Sequence, residues 1–151
     1  GWRIGYALGP NEWIQGMLTI QSHSTSNPTS ISQYAAIEAF AGKQDSVREM
    51  LTEYQRRRDW LIGALNELPG VSCVTPEGAF YAFPNVRDLL DERVPTSRVL
   101  ADKLLEESAV AVTPGSAFGQ EGFLRLSYAT GLADLHRAVD RIRDWIERHN
   151  A

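Results

Sequence analysis

The sequence has a single cysteine, Cys73, and only two lysines, Lys43 and Lys103. One thiol excludes an intrachain disulfide, and in Val71-Ser72-Cys73-Val74 it reads as a small buried apolar side chain. The three histidines, His23, His136 and His149, have no ligand spacing with one another or with Cys73, which speaks against a metal site. There is no Walker-type G-K-S/T, and the loop holding Ser116 is not a G-x-S-x-G elbow. No apolar run approaches the roughly 20 residues needed to span a bilayer. Positive charge is also scarce: 15 Lys+Arg against 19 Asp+Glu give a net charge of −4 and a pI near 5.4. That balance excludes a general affinity for nucleic acid or anionic membrane and, with the cysteine usage, suits the cytoplasm.

What is present is an ordinary globular balance, 43% hydrophobic and 23% charged, in a chain long enough for one domain. Gly1 to Pro10 is nearly continuous in apolar residues between a Gly and a Gly-Pro stop, the pattern of a strand covered on both faces. The chain has no initiator Met and opens inside this apparent interior strand, so the expectation is a piece of a longer polypeptide. Arg3 interrupts the apolar run. A guanidinium there needs a partner, and its planar fork suits either a structural carboxylate or an anion bound at a cleft.

Pro10 to His23 then reads as a helix, with Trp13, Ile14, Met17, Leu18 and Ile20 toward one side. Ser22 to Ser30 is a hydroxyl-rich connector, either a solvated loop or a polar segment reaching into a site. Ile31 to Ala41 has little polar face and predicts a short buried helix ended by Gly42. Ser46 and Glu49 have capping-box spacing and open the longest periodic segment, with Val47, Leu51, Tyr54, Arg58, Leu61, Leu65 and Leu68 on one stripe. Arg58 is expected to snorkel to an edge, while Arg56 and Arg57 lie on other faces.

After Pro69-Gly70 the period becomes two. Val71 to Val74 and Ala79 to Phe83 predict an antiparallel pair around Thr75-Pro76-Glu77-Gly78. A polar connector leads to Thr96, which should cap a helix to about Glu107. Ala109 to Val112 predicts a strand, Thr113 to Gly119 a glycine-rich loop, and Phe123 to Tyr128 another strand. Leu132, Leu135, Val139, Ile142 and Ile146 define a final buried helix. In Phe123-Leu124-Arg125-Leu126-Ser127-Tyr128 a second arginine is flanked by leucines. A structural salt bridge is one reading; two arginines in apolar strands at the two ends of the chain also look like docking points for two anionic groups.

Together, Gly1-Trp2-Arg3-Ile4-Gly5-Tyr6, Thr25-Ser26-Asn27-Pro28, Pro76-Glu77-Gly78-Ala79-Phe80-Tyr81, Thr113-Pro114-Gly115-Ser116-Ala117-Phe118-Gly119 and Leu124-Arg125-Leu126-Ser127 resemble the C-terminal part of a fold-type I, pyridoxal-phosphate-dependent aminotransferase. The bacterial aspartate aminotransferases are the branch most similar, and the resemblance spans essentially the whole chain. It implies an α/β fold: a strand and helices ending a large cofactor-binding domain (1–42), a long interdomain helix (43–70), and a small α+β domain with a short, mainly antiparallel sheet covered by helices (71–151). It also implies that Arg3 binds the phosphate of pyridoxal 5'-phosphate and that Arg125 clamps the substrate α-carboxylate. Ser26 and Asn27 would approach the partner subunit's site in a homodimer. Gly78, Phe80 and Tyr81 match a strand near the cleft, in a packing or contact role.

Neither lysine matches the family's Schiff-base position, which the resemblance puts a few residues before Gly1. No catalytic residue is therefore expected in this chain, and the isolated chain is expected to be inactive. The implied reaction of the whole protein exchanges an amino group between an amino acid, aspartate or similar, and a 2-oxo acid. A related pyridoxal-phosphate-dependent lyase or synthase, or an aminotransferase-like effector domain of a transcription regulator, are the alternatives.

Overall fold

The computed structural model describes residues 2–150; Gly1, the first residue of the expected opening strand, lies outside them. The chain divides into two compact units, residues 1–48 and 49–151.

The first unit holds α1 (Asn11–Ser24) and α2 (Ser30–Ala41). Pro10 caps α1, its carbonyl accepting the first helical bonds from Trp13 and Ile14, as suits a residue that cannot itself donate. Residues 2–10, expected as a strand, are irregular and exposed, with Leu8 at 91%. Their apolar pattern is real, but a strand also needs a neighbour to take its N–H and C=O groups, and none of the described residues forms a ladder with them. The same correction applies to α2: the helix forms where expected, yet Ser32 is its only buried residue and Tyr34 is 75% exposed. A helix that is apolar nearly all round can be buried only when partners cover it on several sides.

The second unit contains most of α3 (Asp45–Asn66), β1 (Tyr81–Ala82), α4 (Ser97–Ser108), β2 (Thr113–Pro114), β3 (Leu124–Ser127) and α5 (Leu132–Asn150). The sheet has strand order β1-β3-β2, with β3 antiparallel to both neighbours. Its register pairs Tyr81 with Ser127 on one side and Thr113 with Arg125 on the other. Leu61 and Leu65 of α3, Leu100 and Leu104 of α4, Leu124 and Leu126 of β3, and Val139, Ile142, Trp145 and Ile146 of α5 form the core. The predicted stripe of α5 faces inward, whereas that of α3 does so only in its second half: Leu61 and Leu65 are buried, but Val47 and Leu51 of the same stripe are 50% and 56% exposed. Arg58 behaves as a snorkelling residue should, its Nε donating to Asp59 Oδ1 at 2.8 Å and its Nη1 to the Pro76 carbonyl at 3.4 Å. Arg56 and Arg57 both hold Glu53, whose carboxyl they lower to a pKa of about 2.

Two strand expectations are corrected by local capping. Asn66 at the end of α3 accepts from the Cys73 N–H at 2.7 Å and donates to the Cys73 carbonyl at 3.0 Å, so this backbone is taken out of a ladder. The expected Val71–Val74 partner of the Tyr81 region is reduced to one antiparallel bridge, Ser72 to Asn85. Cys73 is buried as read, and burial pushes its thiol up. Likewise Ala109, in the left-handed region at φ 52°, closes α4: the N–H groups of Ala109 and Val110 return to the Leu105 and Leu104 carbonyls. Those amides are used before a strand can start, and β2 begins only at Thr113.

The start of α4 is satisfied from two directions. Thr96 Oγ1 accepts from the Val99 N–H at 3.2 Å, as expected of an N-cap. Glu121, distant in sequence, accepts the buried Ser97 N–H at 2.5 Å and the Gly122 N–H at 3.0 Å. The backbone donor of Ser97, then that of Gly122, hold the Glu121 carboxyl below its ordinary value of 4.5. A folded-state pKa lowered in this way adds stability above the unfolded pKa and loses it as pH falls through the folded one. Glu121→Gln should therefore cost about 0.5–1 kcal/mol at neutral pH, modest because the carboxylate is exposed to solvent. Urea titrations should show the gap from the parent narrowing below pH 4.5; a gap that is constant from neutral to acid pH would refute the charge-based account.

Candidate functional site

Arg125 lies at the centre of β3, where period two buries Leu124 and Leu126 and leaves Arg125 half-buried on the other face. Its guanidinium carbon sits 4.5 Å from the Tyr81 ring centroid and 4.4 Å from that of Phe118. Among the described residues no carboxylate pairs with it, and none of its side-chain N–H groups has a hydrogen-bond partner. The structural salt bridge left open by the sequence is therefore not made within these residues. The two rings supply cation–π contact to the half-buried guanidinium.

Each ring is held by a nonlocal device. Tyr81 enters the sheet opposite Ser127, and the preceding turn is pinned by Tyr128, whose N–H donates to the Phe80 carbonyl at 2.9 Å and whose buried hydroxyl donates to Ala79 at 3.1 Å. Phe118 ends a single 3-10 turn, Gly115–Phe118, stopped by Gly119 at φ 75°. Gly115 has no alternative: a Cβ there would lie 2.3 Å from the Gln120 carbonyl oxygen and 2.7 Å from that of Phe123. The glycine-rich loop is thus a tight fold that delivers Phe118 to Arg125, a role the sequence reading did not assign. The available signal was an arginine without an acidic neighbour, with aromatic residues in the two segments that pair around it.

In the first unit, Arg3 adopts φ 48° and lines a cleft of about 330 Å³ with Gly5, Thr25, Asn27, Thr29 and Ser32. Ser32 Oγ donates to the Trp2 carbonyl at 2.9 Å, tying the opening segment to α2. Arg3 and Asn27, expected to serve different subunits' sites, line the same cleft, whereas Ser26, at φ 64°, lines a neighbouring one with Ser22. The donors of the Arg3 cleft are a guanidinium, hydroxyls and the side-chain amides of Gln21 and Asn27, and no acidic side chain lines it among the described residues. Such a donor set fits a phosphate group. Lys43 lies in the connector between α2 and α3, and Lys103 is paired with Glu107 at 3.0 Å. No group of three or more His, Cys, Asp or Glu among the described residues could hold a metal ion, and no described helix is long and apolar enough to cross a membrane.

The family model for aminotransferase class I and II matches residues 1–142. The chain is 46% identical to an aspartate aminotransferase of Bacillus subtilis (strain 168) over 99% of its own length and 38% of that protein's. It is 49% identical to one of Geobacillus stearothermophilus, over 97% of this chain and 38% of the relative. Among solved structures, an aspartate aminotransferase from Rhizobium meliloti superposes with a TM-score of 0.90 at 45% identity, covering 97% of this chain and 38% of the other. The chain thus spans well under half the length of these relatives.

Proposed function

Because the chain belongs to the aminotransferase class I and II family, we propose that the protein of which it forms part exchanges an amino group between an amino acid, aspartate or similar, and a 2-oxo acid. Arg125, free of any acidic partner among the described residues and set over two rings, is the observation that carries this reading. Pyridoxal phosphate, when bound, supplies the electron sink for chemistry at the substrate α-carbon. Arg3, with the hydroxyl and amide groups of its cleft, holds the phosphate. Arg125 receives the substrate α-carboxylate through its planar N–H fork and so orients the α-carbon. Ser26 and Asn27 approach the partner's site in a homodimer, which is consistent with their polar, exposed setting between α1 and α2. Neither Lys43 nor Lys103 is suited to bond the cofactor, so the catalytic lysine is assigned to a part of the protein outside these residues. The protein works in the cytoplasm, with neither nucleic acid nor membrane as partner, in keeping with its acidic balance.

The full-length protein, supplied with pyridoxal phosphate, aspartate and a 2-oxo acid, is expected to form oxaloacetate and the new amino acid in equal amounts. Release of free ammonia, or an elimination product without a matching amino acid, would replace transamination by lyase chemistry.

A further inference from the structure

Phe118 is a large apolar side chain left 48% exposed at the tip of a loop whose backbone is tightly constrained. Burial does not explain it, since an exposed ring on a surface turn gains little from water exclusion. Its neighbours do. On one side it meets the Arg125 guanidinium at 4.4 Å; on another it meets Phe83 edge-on at 6.2 Å, and Phe83 in turn stacks on Phe123 at 5.2 Å. Arg87 covers Phe123 at 5.1 Å. Phe118 is thus backed by an aromatic series at the ends of β1 and β3, although its own loop contributes a single 3-10 turn.

We infer that Phe118 is a positioning and specificity residue for the carboxylate subsite: its ring, together with that of Tyr81, holds the Arg125 guanidinium in place, so that the subsite takes a carboxylate and rejects a neutral isostere. The inference rests on the reading of Arg125 as the carboxylate-binding group. The physical basis is that a guanidinium has few rotational restraints of its own, and two π-contacts supply them without consuming N–H donors. A carboxylate partner would have consumed those donors; the rings leave them for the ligand.

The test uses the full-length protein carrying pyridoxal phosphate, titrated calorimetrically with succinate, with uncharged succinamide as control. Phe118→Leu, which keeps an apolar side chain but removes the π-face, should weaken succinate about tenfold and leave succinamide unchanged. Phe118→Tyr, which keeps the face, should bind succinate within about twofold of the parent. In turnover, Phe118→Leu should raise KM for the amino acid more than it lowers kcat. If Phe118→Leu binds succinate like the parent while Arg125→Lys has lost it, the role of Phe118 is refuted and that of Arg125 stands. If Arg125→Lys also binds like the parent, the carboxylate reading itself falls, and this inference with it. Equal weakening by Phe118→Tyr and Phe118→Leu would point to loop disturbance and also overturn the proposal.

Discussion

Arg125→Lys in the full-length protein is expected to lower kcat/KM for amino-acid substrates by about 30-fold to a few thousandfold, or roughly 2 to 5 kcal/mol of transition-state binding. Lysine keeps the charge but not the planar fork, and its compact ammonium can neither donate in parallel to both carboxylate oxygens nor lie flat on the rings of Tyr81 and Phe118. The half-buried setting of Arg125 makes the loss larger than an exchange at a fully exposed position would. Cofactor affinity should change little, since the Arg3 cleft is built entirely from residues between Trp2 and Ser32. An efficiency within about threefold of the parent would remove Arg125 from the substrate site.

The second large effect concerns the core. Leu104 and Leu105 are adjacent in α4, yet Leu104 is 1% exposed and Leu105 is 54% exposed. Leu104→Ala would open a hole against Leu100, Leu65, Ile142 and Trp145, where the side chains already leave only about 20 Å³ unfilled. The expected destabilisation is about 2 to 5 kcal/mol, combining lost transfer energy with a cavity that its neighbours only partly fill. Leu105→Ala should stay within about 0.5 kcal/mol. Urea unfolding of both variants, followed by circular dichroism, decides the matter: equal costs at the two positions would mean that α4 does not pack through the Leu100–Leu104 stripe.

The contrast within α4 shows how local periodicity made the helices readable. Thr96 as cap, the stripe of α5 from Leu135 to Ile146 and the inward Leu61 and Leu65 of α3 follow from side-chain spacing and are observed, while Leu51 on the same α3 stripe is exposed. The strands were read less well. Val71–Val74 and Ala109–Val112 have suitable apolar character, but Asn66 and the left-handed end of α4 take the amides that a ladder would need. No pattern within either segment reports a competing hydrogen bond from a residue outside it.

By itself, the sequence determined where the five helices of the described residues lie, which face of α3 and α5 is apolar, and that Arg3 and Arg125 stand out as unusual charges in apolar surroundings. These are properties of neighbours three or four positions apart on a helix, or two apart on a strand, so the chain records them locally. Only the tertiary structure decided that β3 is the central strand, that Tyr81 and Phe118 meet at Arg125, that Arg3 shares a cleft with Asn27, and that the apolar surface of α2 stays uncovered within its unit. Strand order, ring contact and burial each depend on which distant segment satisfies a backbone group or covers a face, and that competition is settled across the whole fold.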